Sequence, residues 1–164
     1  VKLTDFGLAR AVDDASLTQS GVIAGTPQYM APEQANGDAV DHRADLFSLG
    51  SVMYAMCTGH SPFRASTTMG VLKRVCHDTP RQVRDINPDI PQWLDDIIAT
   101  LLEKDPSKRF QSAKEVSEVL AAWLAHLQTP ANVAPPKVGG TKREKAVNEI
   151  EAFRTRSSHG SQEM

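Results

Sequence analysis

The stretch Asp41–Gly59, DHRADLFSLGSVMYAMCTG, decides how the rest of the chain is read. From Ala44 to Cys57 it is apolar or small, with Asp45 as its lone formal charge. A helix lying on a surface shows a polar face at every turn; this segment shows none, so it predicts a helix enclosed by protein on all sides. It is too short to cross a bilayer, which takes about 20 apolar residues. Asp41 stands where it caps the start, and Gly59 where the left-handed residue after a helix belongs. An enclosed Asp45 carboxylate has to be hydrogen-bonded or neutral. Such a rod needs other elements packed around it.

Those elements follow in both directions. Towards the C-terminus comes the loop His60–Arg64, then a helix capped by Ser66. It carries Met69, Leu72 and Cys76 on one face, with Val71 and Val75 beside them. The segment 78–91, with Pro80, Pro88 and Pro91, is irregular. Trp93, Leu94, Ile97, Ile98, Leu101 and Leu102 recur at helical spacing, and Pro106 stops that helix. Ser112 and Glu115 form a capping box ahead of Val116, Val119, Leu120, Trp123, Leu124 and Leu127, the apolar face of a last core helix. Towards the N-terminus, Ala31-Pro32-Glu33 opens a single helical turn with Pro32 near its first position and Gly37 beyond its end. Gly25-Thr26-Pro27 is a turn, 8–23 a loop bearing Ser16, Thr18 and Ser20, and Val1–Asp5 a short strand. Residues 128–140 read as a Pro/Gly/Ala-rich linker. Residues 141–164 are a basic, mostly disordered tail, with Thr141 and Glu144 opening a short helix that bears Val147, Ile150 and Phe153.

The chain of 164 residues is long enough for one domain with a core, and its net charge of −2 excludes a broad nucleic-acid footprint. Acidic side chains outnumber basic ones up to Pro136; from Lys137 onwards the balance reverses. Cys57 and Cys76 sit in apolar helical patterns without metal or redox spacing, which predicts buried structural thiols in a reducing compartment. The five histidines show no ligand spacing either. No stretch reads as a signal peptide or membrane span, so a cytoplasmic location is expected. Val1 opens a strand-like segment, so the chain is expected to begin inside a domain.

Four motifs in order carry a resemblance. Asp5-Phe6-Gly7 is followed by Gly25-Thr26-Pro27-Gln28-Tyr29-Met30-Ala31-Pro32-Glu33, then Asp45-Leu46-Phe47-Ser48-Leu49-Gly50, then Asp105-Pro106-Ser107-Lys108-Arg109-Phe110. Each alone is weak; together they resemble the protein kinase family, whose DFG and APE motifs bracket an activation loop. The turn Gly25–Tyr29 resembles serine/threonine kinases, and the loop hydroxyls resemble those of bacterial kinases of the eukaryotic type. The resemblance covers 1–127. It implies a mainly α fold, the helical large lobe of a kinase starting just before DFG, with the activation segment at 5–33 and the buried F helix at about 42–58.

The resemblance also assigns roles. Asp5 corresponds to the aspartate that holds Mg²⁺, a hard cation that needs an oxygen ligand. Phe6 packs under the cleft, and Gly7 lets the backbone flip. Thr26 contacts the catalytic base. Glu33 and Arg109 pair in a buried ion pair, suited by the planar fork of arginine. Asp45 accepts hydrogen bonds from the catalytic loop. Val52 and Met56 form the base of the hydrophobic stack beneath ATP. Thr18 and Ser20 are phosphosites, where a phosphate orders the loop by pairing with arginine.

The 164 residues hold no glycine-rich phosphate loop, no strand lysine with its glutamate and no HRD loop, so no catalytic residue of the family is in the chain. The expected function is therefore that of a serine/threonine protein kinase in a longer parent. That parent uses ATP and Mg²⁺ on protein substrates and is anchored, if at all, through a segment outside these residues. The chain alone is expected to be inactive and to expose an apolar patch. The rival is a non-catalytic module, a pseudokinase or a large lobe that docks partners through the helix around Met69–Cys76. Retention of Asp5 and Gly7 favours the catalytic parent.

Overall fold

The computed structural model describes residues 27–130, 135 and 136. Among these residues the chain is helical, without a strand: α1 (Pro32–Asn36), α2 (Arg43–Thr58), α3 (Thr68–His77), α4 (Gln92–Leu101) and α5 (Ala113–Gln128). Short 3-10 turns stand at Pro27–Tyr29, Val83–Asp85 and Pro106–Lys108. The strand expected at Val1–Asp5 and the short helix after Thr141 lie outside the described residues.

Local chemistry explains the first two helices. Ala31 is extended, and Pro32 enters α1 at a position whose N–H would go unused. Gly37 ends α1 at φ +75, and Gly59 ends α2 at φ +79 with its N–H on the Ala55 carbonyl at 2.8 Å. The cap position of α2 is His42, not Asp41, yet Asp41 does the work: its Oδ1 accepts the Arg43 N–H at 2.8 Å.

The enclosure expected for α2 is not there. Ala44, Leu46, Phe47, Gly50, Ser51 and Tyr54 are buried. On the other side Asp45 faces solvent, and Leu49 is 38%, Val52 44% and Met56 81% exposed. Steps of four, three and four residues put these on one stripe, exposed at every position. Residue type records that a side chain is greasy; it does not record which neighbour covers it. On the buried side α4 comes very close. A Cβ on Gly50 would lie 2.6 Å from that of Leu101, so only glycine lets the two helices meet here.

Further expectations change in α3, α4 and α5. α3 is capped by Thr67, whose Oγ1 accepts the Gly70 N–H at 3.1 Å, and not by Ser66. α3 buries Val71 and Val75 and leaves Met69 out, because only the valine pair faces the core. α4 ends at Leu101, ahead of Pro106. In α5 only half of the capping box closes as drawn. Ser112 Oγ accepts the Glu115 N–H at 3.2 Å, while the Glu115 carboxylate accepts from Gln111, one residue earlier than expected. Val116 is buried and stacked Trp93 and Trp123 sit 4.9 Å apart, but Leu124 and Leu127 are exposed.

Two apolar clusters make the core. One gathers Phe47, Tyr54, Phe63, Val71, Val75 and Ile98; the other Leu46, Ile97, Leu101, Phe110 and Val116. Met53 packs against both, so α2 is their common wall.

Candidate functional site

The best-defined polar assembly is the one around Arg109. The 3-10 turn Pro106–Lys108 is set by Asp105, whose Oδ1 accepts the Ser107 N–H at 2.9 Å. That turn delivers Arg109 into the interior. On the other side α1 fixes Glu33, with Gln34 Oε1 accepting the Ala31 N–H at 2.9 Å and the Glu33 carbonyl accepting that of Asp38 at 2.8 Å.

Arg109 donates Nη1 to Glu33 Oε1 and Nη2 to Glu33 Oε2, both at 2.7 Å across 76 positions of sequence. The remaining donors are all used: Nη1 also reaches the Arg43 carbonyl at 2.9 Å, Nη2 that of Lys104 at 3.1 Å, and Nε that of Glu103 at 2.8 Å. The two side chains are 0% and 7% exposed. A buried charge is tolerated when it is paired and its other hydrogen bonds are met, and here both conditions hold. Burial alone would raise the Glu33 carboxyl; the hydrogen bonds and charge of Arg109 outweigh it and hold the group below its usual range. The Arg109 guanidinium also lies 5.0 Å from the Phe47 ring centroid, on the core side of α2.

Around this pair the segment Pro27–Tyr29 is tied down as well. Ser48 Oγ donates to the Tyr29 carbonyl at 2.8 Å, and Ser61 Oγ lies 3.4 Å from Gln28 Oε1. Neither serine was singled out in the sequence, where a hydroxyl in a helix carries no signal of a distant partner. Lys104 was missed too. Its ammonium donates to the Val75 carbonyl and lies 3.8 Å from the Phe63 ring centroid. Desolvation by burial pushes its pKa down to about 8, with nearby Cys76 and Asp78 acting the other way.

The expected site residues divide into three groups. Glu33 and Arg109 come together. Asp45, expected to be buried and hydrogen-bonded, stands in solvent at the head of the stripe formed by Leu49, Val52 and Met56. Asp5, Phe6, Gly7, Thr18, Ser20 and Thr26 lie outside the described residues. Cys57 and Cys76 are free and only partly buried, so they are not the fully enclosed thiols expected; burial still raises both pKa values. His42 Nε2 contacts the Gln111 carbonyl at 2.8 Å. Among the described residues no group of three His, Cys, Asp or Glu side chains could hold a metal, and no helix is long and apolar enough to cross a membrane. What this assembly can do is hold: it fixes a chain segment ending at α1 against the start of α2 and the turn before α5.

Comparison with known proteins agrees with the four motifs. The family described as protein kinase domain matches residues 1–121. A probable serine/threonine-protein kinase of Clostridium perfringens is 40% identical over 116 residues, covering 71% of this chain and 17% of that protein. Serine/threonine-protein kinase PknJ of Mycobacterium bovis is 35% identical over 172 aligned positions, covering 98% of this chain and 29% of that protein. Serine/threonine-protein kinase PknB of Mycobacterium leprae is 40% identical over 117 residues, covering 71% and 19%. The chain thus spans less than a third of the length of each of these relatives.

Proposed function

The chain belongs to the protein kinase family, in its bacterial eukaryotic-type branch, and on that premise we propose that it is the C-terminal part of a serine/threonine kinase domain. In a longer parent it would serve transfer of the ATP γ-phosphate to serine or threonine of a protein. The observation that carries this reading is the two-pronged Glu33–Arg109 pair, which joins the end of the Asp5–Glu33 segment to the late DPSKRF motif.

The residues then divide the labour. Asp5 would hold Mg²⁺, which supplies charge neutralisation at the phosphates when bound. Thr18 and Ser20 would take phosphate and order the segment; Thr26 would hold the catalytic base. The segment ends at Glu33, and its anchorage on Arg109 keeps Pro27–Tyr29 in place against Ser48 and Ser61. Asp45, Leu49, Val52 and Met56 would seat the catalytic loop and the hydrophobic stack of the remaining kinase parts, and so their exposure fits a face built to be covered. The 164 residues carry no glycine-rich loop, strand lysine or HRD loop, and the chain by itself is read as inactive.

A chimaera tests this. The chain is joined to the residues that precede the matching stretch in one of the relatives above and assayed with radiolabelled ATP and a protein substrate. Label on serine or threonine, abolished by Asp5→Ala, is the expected result. A folded chimaera that binds protein but transfers no phosphate would favour the non-catalytic module instead.

A further inference from the structure

A second feature lies at the far end of α2, away from the ion pair. A cavity of about 230 Å³ opens between the end of α2, the loop that follows it and the residues after α3. Tyr54 and Phe63 line it, both buried. Three arginines reach it from three different segments: Arg64 from the loop, Arg74 from α3 and Arg81 from beyond α3. One carboxylate, Asp78, joins them.

Charge makes this cluster unusual. The chain carries a net charge of −2, yet three arginines and one aspartate line this cavity, with the Asp85 and Asp95 carboxylates close enough to act on Tyr54 at its wall. Asp78 lies 3.7 Å from Arg74 Nε. Among the described residues Arg64 and Arg81 enter no ion pair. Arg74 Nη1 donates to the Arg64 carbonyl at 2.7 Å, and Arg81 Nη2 to the Asp85 carbonyl, beyond the cavity lining, at 3.2 Å. Both partners are neutral carbonyl oxygens and leave the guanidinium charges in place. At the wall of the cavity burial pushes the Tyr54 phenol up, with the Arg81 charge acting against it and the Asp95 and Asp85 carboxylates adding to it. The phenol therefore stays a hydrogen-bond donor at neutral pH.

Like charges gathered in one concavity repel unless an anion joins them. Three arginines on one concavity suit a tetrahedral dianion with three acceptor oxygens better than a flat carboxylate, which one fork satisfies. We propose that this cavity is a binding site for a phosphate monoester, its oxygens held by Arg64, Arg74 and Arg81. The ester is carried either by a phosphorylated peptide or by a small free phosphate.

Isothermal titration of the 164-residue chain decides it. The probes are a glycine-alanine heptapeptide with a central phosphoserine, the same peptide with serine, the same with aspartate, and inorganic phosphate. Saturable binding of the phosphoserine peptide, absent for the serine form and at least about tenfold weaker for aspartate, is expected. Arg64→Gln and Arg81→Gln, both exposed positions, should each weaken it about tenfold at unchanged melting temperature. Inorganic phosphate binding as tightly as the peptide assigns the site to free phosphates; a tighter peptide assigns it to phosphoproteins. The proposal is overturned if no phosphate-bearing probe saturates, if aspartate or serine peptides bind equally, or if both arginine variants bind like the original.

Discussion

The two sides of α2 carry the same kind of residue and meet opposite fates. Phe47, Gly50, Ser51 and Tyr54 are sealed into the core, with α4 so close that Gly50 has no room for a side chain. Leu49, Val52 and Met56, on the other side of the same helix, look into solvent beneath Asp45. One side is finished by this chain. The other, in the kinase reading, waits for the catalytic loop and the hydrophobic stack. An apolar side chain therefore reports that something will cover it, but not whether the cover lies within the same stretch of polypeptide.

Breaking the finished side should cost most at the ion pair. Glu33→Ala or Arg109→Ala is expected to destabilise by roughly 3–5 kcal/mol, because the surviving charge stays buried without its partner. Chemical unfolding of each variant checks this, and a midpoint equal to the original would break the comparison at its strongest point. The double variant should lose less than the two single losses added together, since the second removal leaves no orphaned charge.

Gly50→Ala comes next. Alanine favours a helix over glycine, yet the added methyl would sit 2.6 Å from Leu101 Cβ, and overpacking of this kind costs typically 1–3 kcal/mol. A thermal melt should show a net loss. A gain would mean that α4 yields readily and that the closeness of the two helices is not what holds this side.

Lys104 sharpens the contrast through pH. Burial brings its folded pKa down to about 8, below the roughly 10.4 of an unfolded lysine. Between those values the unfolded chain binds the extra proton, so this group makes stability rise with pH across that window. The effect is of order 1 kcal/mol, discounted for the solvent contact the amine keeps. Subtracting the profile of Lys104→Met isolates it from Cys57, Cys76 and Tyr54, whose raised pKa values act in the opposite sense above about pH 9. A difference profile that is flat from pH 7 to 10 would remove Lys104 from the account.

The smallest effect belongs to the open side. Leu49→Gln, Val52→Gln and Met56→Gln should each change the stability of the chain by no more than about 0.5 kcal/mol, as surface substitutions do. The same changes should reduce self-association, read by light scattering.

Much of this was legible in the residues, for reasons that can be named. Pro32, Gly37, Gly59 and Ser112 mark helix ends because the backbone there needs a missing donor, a positive φ or a side-chain acceptor. The Glu33–Arg109 pair came from ordered motifs, since nothing local links positions 76 apart. What stayed hidden was the direction of coverage. Asp45 was placed inside because its helix shows no polar face, and Met69, Leu124 and Leu127 by helical spacing; all stand outside, because residue type and period do not record what meets a face. Ser48, Lys104 and the three-arginine cavity were invisible for the related reason that their partners arrive from distant segments.

Oxidative footprinting of Met56 against Met53 tests the contrast most directly. In this chain Met56 is 81% exposed, whereas Met53 packs against both core clusters. With the chain alone, peroxide should convert Met56 to its sulfoxide well before Met53. In the chimaera that supplies a relative's preceding residues, Met56 should become protected while Met53 stays as it was. Equal oxidation of Met56 with and without those residues would show that its face of α2 is ordinary surface, and the reading of that face as a seat for the rest of a kinase would be wrong.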